Sequence, residues 1–241
     1  MTKKDWESPK MQEYLWNLSA KNTELIFGEK HDSICGRFYR ELRSMGYEFE
    51  VVDQMLNYMK INAAEIIPIA FRYYKEAIDQ CSVGDGGELL KYFLDRKYTK
   101  IIKSYFPEFI QMFYKCSGNS RDVKSLRWQI ANIFYRHKPI ELVNEYLAII
   151  QNREFGTSRQ LFVLIVGEKK IESAIPILVN LLEDEEVRLH AICALGCFKR
   201  EEFRPYFERF KDCKHPGWRK YSREAIKKLD KYNEKMKEKN K

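Results

Sequence analysis

Glu183-Asp184-Glu185-Glu186-Val187-Arg188-Leu189-His190-Ala191-Ile192-Cys193-Ala194-Leu195-Gly196 reads as an acidic turn followed by a helix with one apolar face. Its four acids open a helix, where carboxylates favour the positive end of the helix dipole and cap free N–H groups. Behind them Val187, Ala191, Ala194 and Leu195 stand at offsets −1, +3, +6 and +7 from Arg188, which is one helical stripe. The same register recurs along the chain. Arg127, Arg159, Arg188 and Arg219 are 32, 29 and 31 residues apart. At +3 stand Ile130, Phe162, Ala191 and Ser222, at +6 Ile133, Ile165, Ala194 and Ala225, and at +7 Phe134, Val166, Leu195 and Ile226. The intervening helices echo one another as well. Ala174-Ile175-Pro176-Ile177-Leu178 returns 29 residues later as Phe203-Arg204-Pro205-Tyr206-Phe207, and Glu65-Ile66-Ile67-Pro68-Ile69 looks like an earlier copy. Proline near a first helical turn costs little, because that N–H lacks a helical partner anyway. A period near 30 built from two helices predicts an α-solenoid.

Working outward, helical periodicity predicts helices over 10–27, 31–45, 48–60, 63–80, 87–97, 99–117, 121–136, 139–151, 157–167, 171–183, 185–198, 202–211 and 217–236. The expected fold is all-α, a superhelix of about six antiparallel helix pairs. Residues 1–81 read as degenerate helical repeats with a cap, and 88–232 as the regular repeats. Between them, Ser82-Val83-Gly84-Asp85-Gly86-Gly87 reads as a flexible connection, since it lacks the GK[ST] ending of a phosphate loop and no apolar strand precedes it. Residues 233–241 carry mostly charge and read as a disordered tail.

The acidic turn, Val187-Arg188, Ala191 and Ala194-Leu195-Gly196 resemble the second helix of a HEAT-like repeat of the phycobilisome-lyase type. Ser158 to Gly167 departs from that pattern by placing Phe162 where a small residue belongs, whereas Trp218 to Ile226 keeps a small residue, Ser222. The resemblance covers roughly half the chain. It implies a fold and no particular activity, because such repeats serve many roles. For the column Arg127, Arg159, Arg188 and Arg219 it implies a structural ladder bonding carbonyls and acids of neighbouring repeats. The competing reading of that column is a row of cations gripping an anionic ligand.

Composition narrows the classes. The chain has 241 residues, 44% of them hydrophobic, which is ample for a core. Eleven Gly and seven Pro are few for an all-β fold. Its longest apolar run, Leu161 to Val166, falls far short of the roughly 18 residues of a membrane span. MTKKDWESPK is not a signal peptide, so a cytoplasmic protein without a membrane partner is expected. Six cysteines, at 35, 81, 116, 193, 197 and 213, have no CxxC spacing and read as reduced thiols. Of the net charge of +8, four units fall between Lys227 and Lys241. The stretch from Lys199 to Arg223 holds nine Lys or Arg against four acids.

Neither a cofactor nor a metal site is expected. His190, Cys193 and Cys197 share a stripe, with Cys213 and His215 one repeat on, but this spacing fits no familiar zinc module. No base, nucleophile and orienting acid fall together. The expected function is therefore protein binding on the concave face of second helices, read as Trp128, Asn132, Gln160, His190, Lys220 and Arg223. The alternative is nucleic-acid binding or an enzyme like the bacterial alkylpurine DNA glycosylases, which are HEAT-like solenoids of similar size with a basic concave face. Against the enzyme, the chain has no Trp-Trp-Asp segment, and Asp122 is the only Asp close to Trp128. A chaperone for a chromophore rests on the repeat resemblance alone.

Overall fold

The computed structural model describes residues 8–28 and 32–239. All regular structure among them is helical. The chain divides into two compact units, one ending at Gln129 and the other beginning at Ile130.

The first unit contains α1 (Pro9–Phe27), α2 (Ile34–Ser44), α3 (Met55–Asp79), α4 (Val83–Leu90), α5 (Thr99–Ile102), α6 (Phe106–Lys115) and the start of α7 (Arg121–His137). Serines fix two helix starts: Ser8 Oγ accepts from the Met11 N–H and Ser33 Oγ from the Gly36 N–H. Ile34, Cys35, Phe38, Tyr39 and Leu42 form the buried face of α2. Around them the core is aromatic, with edge-on pairs such as Tyr74–Phe93 at 5.3 Å and Phe93–Phe109 at 5.4 Å between ring centroids.

Two expectations need correction here. The boundary predicted between helices 48–60 and 63–80 falls at a kink, since non-helical dihedrals at Asn62 divide α3 into two helical segments, but the first segment starts at Met55 rather than at residue 48. Pro68 thus lies inside α3 rather than in a first turn, whereas Pro176 and Pro205 do open helices. The glycine-rich stretch is not a flexible connection but forms α4. Its glycines are there for proximity. A Cβ on Gly86 would lie 2.8 Å from Gln129 Oε1, and the Gln129 amide donates to the Val83 carbonyl at 3.1 Å. Asp85, in the first turn of α4, accepts from the Cys35 N–H at 3.1 Å and from the Ser82 hydroxyl at 2.6 Å. Tertiary hydrogen bonds therefore offset the roughly 1 kcal/mol that each glycine costs within a helix.

The second unit contains the rest of α7, then α8 (Val143–Gln151), α9 (Gln160–Glu168), α10 (Ile175–Asn180), α11 (Arg188–Phe198), α12 (Arg204–Glu208) and α13 (Pro216–Lys239). The stripe read from the sequence is its core: Ile130, Ile133, Phe134, Phe162, Ile165, Val166, Ala191, Ala194, Leu195, Ser222 and Ala225 are buried. One contact occurs twice. The glycine eight positions after one arginine meets the alanine six positions after the next, Gly167 against Ala194 and Gly196 against Ala225. The approach of α9 to α11 is very close, since a Cβ on Gly167 would lie 2.4 Å from Ala194 Cα.

Residues 233–239 do not form a disordered tail but continue α13, which runs to Lys239. Leu229, 1% exposed, anchors the helix before this segment, and the Asn233 amide donates to Glu201 at 2.7 Å within it.

Candidate binding cleft

Three of the four periodic arginines, Arg127, Arg159 and Arg188, are buried. Arg159 is fully buried; its guanidinium donates to the carbonyls of Gly156 (2.8 Å) and Ile150 (3.4 Å) and ion-pairs with Asp184 (2.9 Å) and Glu186 (3.2 Å), just before α11. Arg188 and Arg219 each bond the carbonyl six residues upstream, Leu182 at 2.6 Å and Cys213 at 2.9 Å. Arg188 also lies over the Trp218 ring, 4.2 Å from its centroid. Arg127, in the first unit, is 3% exposed. Arg159, Arg188 and Arg219 thereby tie their helices to the segments just before them.

The six residues proposed from the sequence differ in exposure and in partners. Trp128 is half exposed and belongs to the first unit. Asn132 is half-buried in the second. The Gln160 amide donates to the Glu186 carbonyl at 2.7 Å, and Arg223 bonds Asp212 and the Lys211 carbonyl, both at 2.8 Å. Lys220 is exposed, its ammonium 5.5 Å from the Tyr221 ring. His190 is mostly buried, and burial lowers its pKa. Its Nδ1 has no hydrogen-bond partner among the described residues.

A cleft of about 850 Å³ opens instead on a neighbouring face of the same helices in the second unit. Leu164, Cys193 and Glu224, each at +5 from its arginine, line it together with Glu168, Cys197 and Lys228 at +9. Lys170 and Lys199 enter at +11, and Tyr221, Lys231, Tyr232 and Lys235 complete the wall from α13. The basic stretch from Lys227 to Lys241 thus supplies three of the cleft's lysines, Lys228, Lys231 and Lys235. None of Trp128, Asn132, Gln160, His190, Lys220 and Arg223 lines it.

Three lysines at +11 share an unusual backbone. Lys138, Lys170 and Lys199 have φ of 50, 52 and 55°. Helices commonly end through a left-handed residue, usually glycine. After α9 the motif is complete: the Lys170 N–H bonds the Gly167 carbonyl at 3.0 Å, and the Ile171 N–H bonds the Val166 carbonyl at 2.9 Å. A residue with a Cβ costs about 1 kcal/mol in this conformation, against almost nothing for glycine. Lysine at a helix C-terminus recovers part of that from the dipole. The signal was legible in the sequence as a lysine eleven positions after three successive arginines.

The chemistry of the cleft favours binding over reaction. Burial pushes the Cys193 thiol up to about 11 and raises Cys197 too, so both stay protonated near neutrality and are poor nucleophiles. Glu168 accepts from the Tyr135 hydroxyl at 2.8 Å and ion-pairs with Lys138. Burial and that bond push Tyr135 up to about 12. By contrast, Lys170, Lys199, Lys228, Lys231 and Lys235 form no ion pair among the described residues. No cluster of three or more His, Cys, Asp or Glu able to hold a metal occurs among the described residues, and no described helix is long and apolar enough to cross a membrane.

Comparison with protein-family models, curated proteins and solved structures finds no match.

Proposed function

We propose that this chain is a HEAT-like α-solenoid acting as a non-enzymatic protein-binding module, with the exposed face of its second helices as the docking surface. The solenoid reading is supported by the recurring contact of Gly167 with Ala194 and Gly196 with Ala225, together with the periodic arginines that tie their helices to the segments just before them. Repeats that stack in this way leave one helix face uncovered along the array, which suits an extended partner. The observation that carries the binding reading is the open cleft beside those contacts, walled by ammonium groups without carboxylate partners. No activated nucleophile stands in it.

The test is to isolate the full chain from its native cell by mild crosslinking, identify what is joined to it, and map the joined residues. Crosslinks on α9, α11 and α13 to one recurrent protein are expected. Nucleic acid as the recurrent species, or release of alkylated bases from DNA by the purified chain, would replace the module reading with the nucleic-acid or glycosylase alternative.

A further inference from the structure

We infer that the cleft between α9, α11 and α13 takes an acidic segment of a partner protein that carries an apolar or aromatic side chain; this rests on the module reading. Lys170 and Lys199 bear most directly on this occupant. Both occupy left-handed positions that glycine fills without strain, and both line the cleft. The ammonium of each is thus held beside the cleft at the expense of backbone strain. Lys228, Lys231 and Lys235 face them from α13. Of the two carboxylates in the wall, Glu168 is already paired with Lys138, which leaves the cleft strongly positive. Complementary charge steers such an encounter and fixes its register.

The floor decides between acidic protein and nucleic acid. Leu164, Tyr221, Tyr232 and Ala225 supply apolar surface fit for one buried anchor, with ammonium groups round it, the arrangement of an interface core inside a polar rim. No arginine lines the cleft. Bidentate phosphate recognition draws on the planar guanidinium fork, whereas ammonium binds phosphate or carboxylate alike as a point charge, so it is the apolar surface that favours a protein segment. The repeat arginines Arg159 and Arg188 are occupied in the interior.

Lys170→Gly with Lys199→Gly tests the proposal without a folding artefact, because both changes relieve left-handed backbone. The probes are a fluorescein-labelled twelve-residue peptide alternating Glu with Leu and Phe, its Glu-to-Gln counterpart, and a single-stranded oligonucleotide of equal charge. Each is titrated against the full chain by anisotropy. The wild type is expected to bind the acidic peptide about tenfold or more tightly than the Gln peptide, and more tightly than the oligonucleotide. The double glycine variant should melt at a higher temperature yet bind the acidic peptide several-fold more weakly. Lys228→Glu with Lys231→Glu should nearly abolish binding.

Unchanged peptide affinity in both variants, or preference for the oligonucleotide, overturns the proposal. A natural partner that crosslinks equally to wild type and to the Lys228→Glu, Lys231→Glu variant also overturns it, yet leaves the module reading standing. Recurrent crosslinking to nucleic acid alone would instead remove the module reading.

Discussion

Gly167→Ala probes the closest helix approach in the second unit. The added methyl would lie 2.4 Å from Ala194 Cα, 2.5 Å from its Cβ and 2.9 Å from its carbonyl carbon. These are backbone and Cβ atoms of α11, so no flexible side chain can swing aside, and the helices must separate. Overpacking of this kind costs about 1–3 kcal/mol, and contact with backbone puts this case near the top. Alanine regains up to about 1 kcal/mol of helix propensity, leaving a net loss of about 2 kcal/mol. For a chain of this size that corresponds to a fall in Tm of roughly 4–8 °C, read by circular dichroism at 222 nm. Gly196→Ala is the control at the same repeat position. Its methyl would meet Ala225 Cβ at 3.3 Å and Cα at 3.9 Å, so the propensity gain should offset the crowding to within ~0.5 kcal/mol. Adding Ala194→Gly to Gly167→Ala removes the 2.5 Å contact but not the one to Cα, so rescue should be partial. If Gly167→Ala melts at or above the wild-type temperature, α9 and α11 do not approach as described.

Further outcomes follow from the same structure. Arg159→Ala should cost about 3 kcal/mol in urea denaturation, because it leaves the largely buried Asp184 with only the more distant Arg153, at 3.8 Å; a loss under ~1 kcal/mol would show that the pair contributes little. His190 has a folded pKa lowered by burial, so the unfolded chain binds more protons between that value and about 6.5. Its contribution to stability is therefore complete above about pH 6.5 and lost as pH falls through the folded pKa, and His190→Gln should flatten the urea midpoint over that window. An identical pH profile for the variant would refute this. Ending the chain after Lys231 should cost at most ~1 kcal/mol in thermal melts, since Tyr232 and Met236 are well exposed, but should weaken the acidic-peptide binding by removing Tyr232 and Lys235 from the cleft. A larger stability loss, or unchanged peptide binding, would count against the described role of the end of α13.

The helical character of the chain, most helix bounds and the buried stripe were legible in the sequence, because these follow from the 3.6-residue period, which is local; 87–97 and 99–117 were not, since the helices there are Val83–Leu90, Thr99–Ile102 and Phe106–Lys115. Ile133, Ile165, Ala194 and Ala225 could be assigned to one face without any knowledge of their neighbours. Ser82 to Gly87 could not be read as part of a helix, because what holds α4 is Gln129 and Cys35, both more than forty residues away in sequence from the groups they bond. The end of α13 was illegible for a related reason: charge density argues for solvent, and only the position of the helix shows that Lys228, Lys231 and Lys235 share a wall with Lys170 and Lys199. The candidate site itself was decided by tertiary structure. Helical spacing separated the core stripe from the polar faces, but the choice between the +1 residues Trp128, Gln160 and Lys220 and the +5 and +9 residues of the cleft depends on the rotation of each helix in its packing. That rotation is set by contacts such as Gly167 against Ala194, which join residues far apart in sequence and cannot be read from the spacing within either helix.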